Sequence, residues 1–179
     1  MQLRLNLGCG RKLLAGWVNV DAMRYPDADY HGVTFAQDDA LAYLHALPDG
    51  SVAEVLAEQF LEHLTYREGA LFLAECKRVL APDGQVRITV PDFEAHIGDY
   101  RDRQQRVPLR DRRAIDGPFR PEVNLLIRTV YAEPWGHQAF YDAEMLRTAI
   151  EGAGLRVVRM DRPDGANVVA VAGRHTEGG

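Results

Sequence analysis

The sequence predicts an α/β fold: a Rossmann-like, mostly parallel seven-stranded sheet that ends in an antiparallel hairpin. Three observations predict it. From Leu3 to Val90, short apolar runs that suit strands alternate with turns and amphipathic helical stretches, the pattern of a parallel sheet with helices on its faces. The first run ends in Gly8-Cys9-Gly10 and the second in Asp21, together half of a nucleoside-binding crevice. The last two runs are joined by the tight turn Pro163-Asp164-Gly165, which makes them antiparallel neighbours.

The elements follow in order. Leu3, Leu5 and Leu7 alternate with Arg4 and Asn6 as a strand, and Gly8 and Gly10 lack the Cβ that would bar positive φ and close backbone approach. Arg11 to Trp17 leaves room for about two helical turns at 1.5 Å rise per residue. Val18 to Val20 is the second strand, Met23 to Gly32 a polar loop, and Val33 to Ala36 the third strand. Leu41, Leu44 and Leu47 recur at helical spacing until Pro48-Asp49-Gly50. Val52 to Glu58 reads as a buried strand, and Ala70, Leu73, Ala74, Lys77 and Leu80 trace one face of a helix from Tyr66 to Leu80. Pro82-Asp83-Gly84 then turns the chain into a strand over Gln85 to Val90.

Between Phe93 and Pro134 the pattern changes. Phe93 to Arg106 reads as a charged helix, and a proline-punctuated stretch carries seven arginines from Arg101 to Arg120; Glu122 to Tyr131 reads as a short helix. Asp142 caps a helix that Gly154 ends. Strands over Leu155 to Met160 and Val168 to Ala172 complete the sheet.

A chain of 179 residues is expected to form one domain over 1–174, with 93–140 as an insertion and 175–179 as a loose tail. Apolar content of 46% and charged content of 26% are ordinary for a soluble globular protein. A net charge of −5 disfavours nucleic-acid binding through whole-surface charge, though not a local basic patch. Cys9 and Cys76 show neither metal spacing nor a disulfide framework, which suits a reducing, cytoplasmic setting. No apolar run has the length or flanks of a membrane span or signal peptide.

The crevice is not of the dinucleotide kind. The third glycine of that fingerprint is replaced by Leu13, and Asp21 follows Gly10 by eleven residues where about twenty are expected. The stretch instead resembles motif I of the class I S-adenosylmethionine-dependent methyltransferases, whose first strand ends in G-x-G and whose second ends in a ribose-binding acid. Leu80-Ala81-Pro82-Asp83-Gly84 resembles the family's turn before strand five, with Asp83 in place of its first glycine. Glu62-His63-Leu64 resembles the E-H-L of small bacterial members, and Gly152-Ala153-Gly154-Leu155 the turn before strand six. The resemblance covers Leu3 to Asp92 and Tyr141 to Gly173 and implies the class I methyltransferase fold.

It implies S-adenosylmethionine as cofactor, held by Asn6, Gly8, Cys9, Gly10, Asp21, Asp38, Asp39, Ala40, Glu58 and Gln59. In that reading Asp21 takes the ribose hydroxyls, and Asp38 or Asp39 the adenine amino group, one of the two acids serving only to cap the helix from Ala40. Glu58, Gln59 and His63 lie on the loop that flanks the transferring methyl group, and His137 closes over the substrate; His63 and His137 are the candidate catalytic bases, although a histidine equally caps a helix or bonds to backbone. Glu62, His63, His96 and His137 follow no recognised metal-ligand spacing, so no metal is expected. The arginine-rich insertion suits an acceptor-binding cap through its guanidinium forks, or is simply a solvated helix face. The acceptor implied is a small molecule or glycan. An aminopropyl-transferring relative would need an adjacent acid pair after strand four, which is missing. A non-catalytic nucleoside-binding partner protein with the same fold is the alternative function.

Overall fold

The computed structural model describes residues 2–98 and 136–174. Strands Leu3–Leu7 (β1), Val18–Asp21 (β2), Thr34–Gln37 (β3), Val52–Glu58 (β4), Leu80–Pro91 (β5), Leu155–Asp161 (β6) and Asn167–Arg174 (β7) form one seven-stranded sheet in the order β3-β2-β1-β4-β5-β7-β6. β1 to β5 run parallel, and β7 lies antiparallel to both β5 and β6. The mostly parallel sheet closed by an antiparallel pair is therefore as expected. The chain winds outward from β1 through β2 to β3, then returns to the other side of β1 as β4. That reversal makes the carboxyl ends of β1 and β4 the switch point where open α/β sheets bind ligands.

Three helices, Ala40–His45 (α1), Tyr66–Val79 (α2) and Ala143–Gly152 (α3), pack side by side in one layer. Leu5 and Leu7 of β1, Val55 and Ala57 of β4, and Val86, Ile88 and Val90 of β5 share one core with Phe72, Leu73, Cys76 and Val79 of α2 and Leu146 and Ile150 of α3. A large side chain fully buried in this way contributes about 1.5–3 kcal/mol. The alternate residues of these strands are polar and point the other way: Arg4, Gln85 and Arg87 are exposed, and Arg4 pairs with Glu54 across the β1–β4 seam at 2.9 Å. Among the described residues no helix covers this second face. Its middle is a groove of about 630 Å³ lined by Lys12, Trp17, Glu54, Glu58, Arg87 and Val158.

Between β1 and β2 the chain carries no helix. Residues 11–17 form turns where two helical turns had room, with Gly16 in the left-handed region at φ +77°. Buried asparagines hold the loop instead. Asn6 donates to the Lys12 carbonyl (2.7 Å) and to Asn19 Oδ1 (2.9 Å), and Asn19 accepts from Leu14 N–H (2.8 Å) and donates to the Leu14 and Thr34 carbonyls (3.0 Å each). A second correction concerns Pro82-Asp83-Gly84, which lies inside β5 as a bulge. Val52 pairs with Leu80 and Glu54 with Gln85, so the chain packs three extra residues into this stretch of β5. Gly84 is required there, because a Cβ would sit 2.9 Å from the Val52 carbonyl oxygen.

Caps explain the helix boundaries. Thr65 and Glu68 form a reciprocal capping box at the start of α2, and Asp142, the cap expected from the sequence, accepts from Met145 N–H at the start of α3. Residues 93–98 are helical, consistent with the first part of the predicted Phe93–Arg106 helix. The rest of that helix, the arginines from Arg101 to Arg120, the predicted helix Glu122 to Tyr131, Trp135 and the tail 175–179 lie outside the described residues.

Candidate active site

The crevice begins at the carboxyl end of β1. Gly8 is left-handed (φ +62°), and a Cβ there would lie 2.3 Å from the Phe60 ring, so Phe60 packs directly on bare backbone. Gly10 is also left-handed (φ +52°), but its missing Cβ would meet nothing within 4 Å. Gly8 closes the floor of the turn, and Gly10 opens it. Gly10 N–H donates to one oxygen of Asp21 at 2.8 Å, and Met23 N–H donates to the other at 2.9 Å. A carboxylate offers about four acceptor sites, so two remain on Asp21. Cys9 is buried between them; burial foremost, with the Asp21 charge, pushes its thiol up to about 12. It is a packing residue and not a nucleophile.

The other predicted cofactor residues divide by what their side chains already hold. Asp39 is the N-cap of α1 and accepts from Ala42 N–H at 2.9 Å, while Asp38 accepts its neighbour's N–H and is exposed at the end of β3. Asp39 is thus the acid that caps. Ala40 is the buried first residue of α1. Asn6 lies beneath the 11–17 loop and not at the mouth of the turn. Glu58 forms an ion pair with Lys12 of that loop, and Arg87 lies 3.9 Å away. Gln59 has φ +52°, the one non-glycine positive φ among the described residues. Its N–H is bonded to the Thr89 carbonyl (2.8 Å) and its amide to Asn167 (2.9 Å). Such backbone strain persists only where surrounding bonds fix it, and it clusters at functional sites.

Beyond Gln59 the chain makes a short 3₁₀ turn, Leu61–His63, and here the two predicted catalytic histidines meet. His63 and His137 stack edge to face with ring centroids 4.9 Å apart. The segment carrying His137 is fixed by Gln138 N–H and Ala139 N–H, both donating to the Glu62 carbonyl (2.7 and 3.1 Å), and by the Gln138 amide donating to the His63 carbonyl (3.1 Å). Glu62 lies beside the rings, 1% exposed, with its carboxylate 4.0 Å from His137 Nε2. Burial pushes Glu62 up to about 8. It also lowers His137 to about 4, helped by the nearby His63 and His96, so the His137 ring is neutral at pH 7. An unprotonated imidazole can accept a proton.

Comparison with known proteins places this geometry. The family model described as a methyltransferase domain matches residues 5–88, the stretch that carries the glycine turn, Asp21 and the E-H-L turn. Residues 5–88 thus match a methyltransferase domain, and the whole chain shares the fold of S-adenosylmethionine-dependent methyltransferases. A methyltransferase domain is an enzyme's domain, and its cofactor is S-adenosylmethionine. A structure of a SAM-dependent methyltransferase from Archaeoglobus fulgidus superimposes with a TM-score of 0.59 at 15% identity, covering 96% of this chain and 85% of that one. A Thermotoga maritima SAM-dependent methyltransferase, a possible histamine N-methyltransferase, gives 0.64 at 16% identity, covering 98% and 83%. The Burkholderia thailandensis 1,6-didemethyltoxoflavin-N1-methyltransferase, with its substrate and S-adenosylhomocysteine bound, gives 0.62 at 13%, covering 97% and 71%. At these identities the likeness is one of fold. No curated protein matches in sequence.

Sequence reasoning missed several residues that shape this methyltransferase's site. Glu62 entered only as part of a motif and of a rejected metal-ligand set, though a carboxylate beside Phe60, Leu61 and Leu64 after a central strand is itself a signal. Asp92, 1% exposed at the end of β5, accepts from Glu94 N–H (3.1 Å) and from Arg162 Nε (2.5 Å), and Arg162 also reaches Glu94 (2.7 Å). That pair ties the β6–β7 turn to the carboxyl edge of the sheet. Nothing local to either residue announces it, because the partners are 70 residues apart.

Proposed function

We propose that this methyltransferase transfers a methyl group from S-adenosylmethionine to a hydroxyl or amine of a small-molecule or glycan-type acceptor. The observation that carries the reading is the bond from Gly10 N–H to the Asp21 carboxylate, at the switch point of the sheet. The residues fit the cofactor: the space that a Gly10 Cβ would fill is open, and Asp21 keeps two acceptor sites for a ribose diol. Gly8 and Cys9 complete the turn, and Asp38 offers its carboxylate to the adenine amino group, beside Ala40. Gln59 presents strained backbone beside the turn. Asn6, Asp39 and Glu58 act at one remove, by holding the 11–17 loop and α1. Bound there, S-adenosylmethionine supplies a methyl group on a good leaving group, so the protein has mainly to align the acceptor, and orientation is worth up to about 7–11 kcal/mol.

His63 and His137 stand on the acceptor side and receive the acceptor's proton, His137 being held neutral by burial. The insertion 93–140 caps the acceptor, a role that rests on its sequence. A small-molecule acceptor is supported by the Burkholderia neighbour, whose substrate is one. No helix among the described residues is long and apolar enough to cross a membrane, and Cys9 and Cys76 are free thiols; both agree with a cytoplasmic enzyme. The match of residues 5–88 to a methyltransferase domain favours catalysis over the non-catalytic alternative.

The test is transfer of labelled methyl from S-adenosylmethionine to a panel of hydroxylated, amine-bearing and sugar-containing compounds. Turnover on at least one class is expected, falling roughly 10²–10⁴-fold in His63→Asn/His137→Asn while cofactor affinity is kept. Tight cofactor binding without transfer to any compound would return the alternative to the front.

A further inference from the structure

We propose that Glu62, His63 and His137 form a three-ligand site for a divalent metal ion of the zinc type. One ligand atom from each residue lies within 4.8 Å of the other two. Tetrahedral zinc with bonds of about 2.0–2.1 Å would bring such atoms to about 3.4 Å apart, a contraction that small side-chain rotations supply. The stronger observation is what the cluster lacks. Both carboxylate oxygens of Glu62 and the Nδ1 atoms of His63 and His137 are buried without a hydrogen-bond partner among the described residues. Four orphaned polar atoms in one place would cost several kcal/mol if nothing met them. The residues do not meet one another's needs, since the shortest approach of His137 to Glu62 is 4.0 Å, beyond a hydrogen bond. A single cation would satisfy an oxygen and both rings at once.

The scaffold is that of a built site. His137 comes from a segment 75 residues away, and three hydrogen bonds from Gln138 and Ala139 to the Glu62 and His63 carbonyls hold it opposite the other two. Two imidazoles and one carboxylate are the donor set of catalytic zinc sites, which keep a position open. The ligands arise from the turn after β4 and from the segment before α3, so the open position would take an acceptor hydroxyl. In the metal-loaded protein a hydroxyl held on the ion would lose its proton to solvent at neutral pH, in place of the transfer to His63 or His137 that serves the metal-free protein. This role toward the acceptor rests on the proposed function; the metal site itself does not.

The experiment uses the full chain without a polyhistidine tag, stripped with chelator. Zn²⁺ is titrated by calorimetry and Co²⁺ by visible absorption, beside Glu62→Gln and His137→Ala. One equivalent is expected to bind the wild type with a tetrahedral or five-coordinate cobalt spectrum, and binding should weaken at least 10–100-fold in each variant. Zn²⁺ should raise the Tm of the wild type and not of His137→Ala, and S-adenosylhomocysteine binding should be equal in all three. No stoichiometric ion in the wild type, or undiminished binding in both variants, would overturn the site. Loss of S-adenosylhomocysteine binding by the wild type would instead strike the proposed function and leave this inference standing.

Discussion

Asn19 shows how a single buried side chain can replace a helix. It is fully buried, and its amide joins β2 to the 11–17 loop, to Thr34 of β3 and to Asn6 of β1. Asn19→Leu strands the Leu14 N–H and Asn6 amide, and should cost about 1–3 kcal/mol in urea unfolding while loosening the loop behind Gly10. A stability loss below a few tenths of a kcal/mol would mean the loop is held otherwise. Glu62 makes a second prediction at this scale. Its carboxyl is raised from 4.5 to about 8, so the folded chain keeps a proton the unfolded chain has lost, and stability falls as pH rises through that window. His137 is lowered from 6.5 to about 4, so its contribution is lost as pH falls through that range. The two slopes oppose each other below 6.5; above it only that of Glu62 remains. Chelator-treated protein should therefore lose stability between pH 6.5 and 8, by at most about 1.4 kcal/mol per pH unit, and Glu62→Gln should not. A flat wild-type profile there would contradict the buried acid. Legibility at this scale follows locality. Gly8, Gly10 and Asp21 belong to two strand ends that the sequence marks, whereas Asn19 and Glu62 draw their meaning from partners on other segments.

Elements were legible where their ends carry their own signals. α3 was readable because Asp142 and Gly154 bracket it, and β6 and β7 because Pro163-Asp164-Gly165 joins them. The capping box of α2 is the same kind of signal. Thr65→Ala should destabilise the protein by about 1 kcal/mol, measured by chemical denaturation, without touching cofactor affinity. A large loss of affinity would mean that α2 positions the site as well as the core. Two elements misled for physical reasons. Pro82-Asp83-Gly84 has the composition of a turn, but here the glycine lets β5 bulge against the β4 backbone. Arg11 to Trp17 has the length of two helical turns, but Gly16 and the two asparagines stabilise an irregular path.

At the scale of the molecule, alternation along β1, β4 and β5 divides the sheet into a helix-packed face and a charged one. The sequence pattern announces strands and their pairing sense more readily than which face a crossover covers. The division of labour between the β-strand ends and the insertion is also a claim about the whole chain. Scrambling Arg101 to Arg113 should abolish acceptor binding and leave cofactor binding intact, as read by calorimetry with each ligand; loss of both would end that division. The central claim is narrower: the glycine turn and Asp21 hold S-adenosylmethionine. Its most direct test is calorimetry of the purified protein with S-adenosylhomocysteine, beside Asp21→Ala. The account predicts one-to-one binding by the wild type and roughly tenfold to hundredfold weaker binding in the variant, the value of one or two hydrogen bonds to a charged group. No binding by the wild type, or equal affinity in the variant, would contradict it.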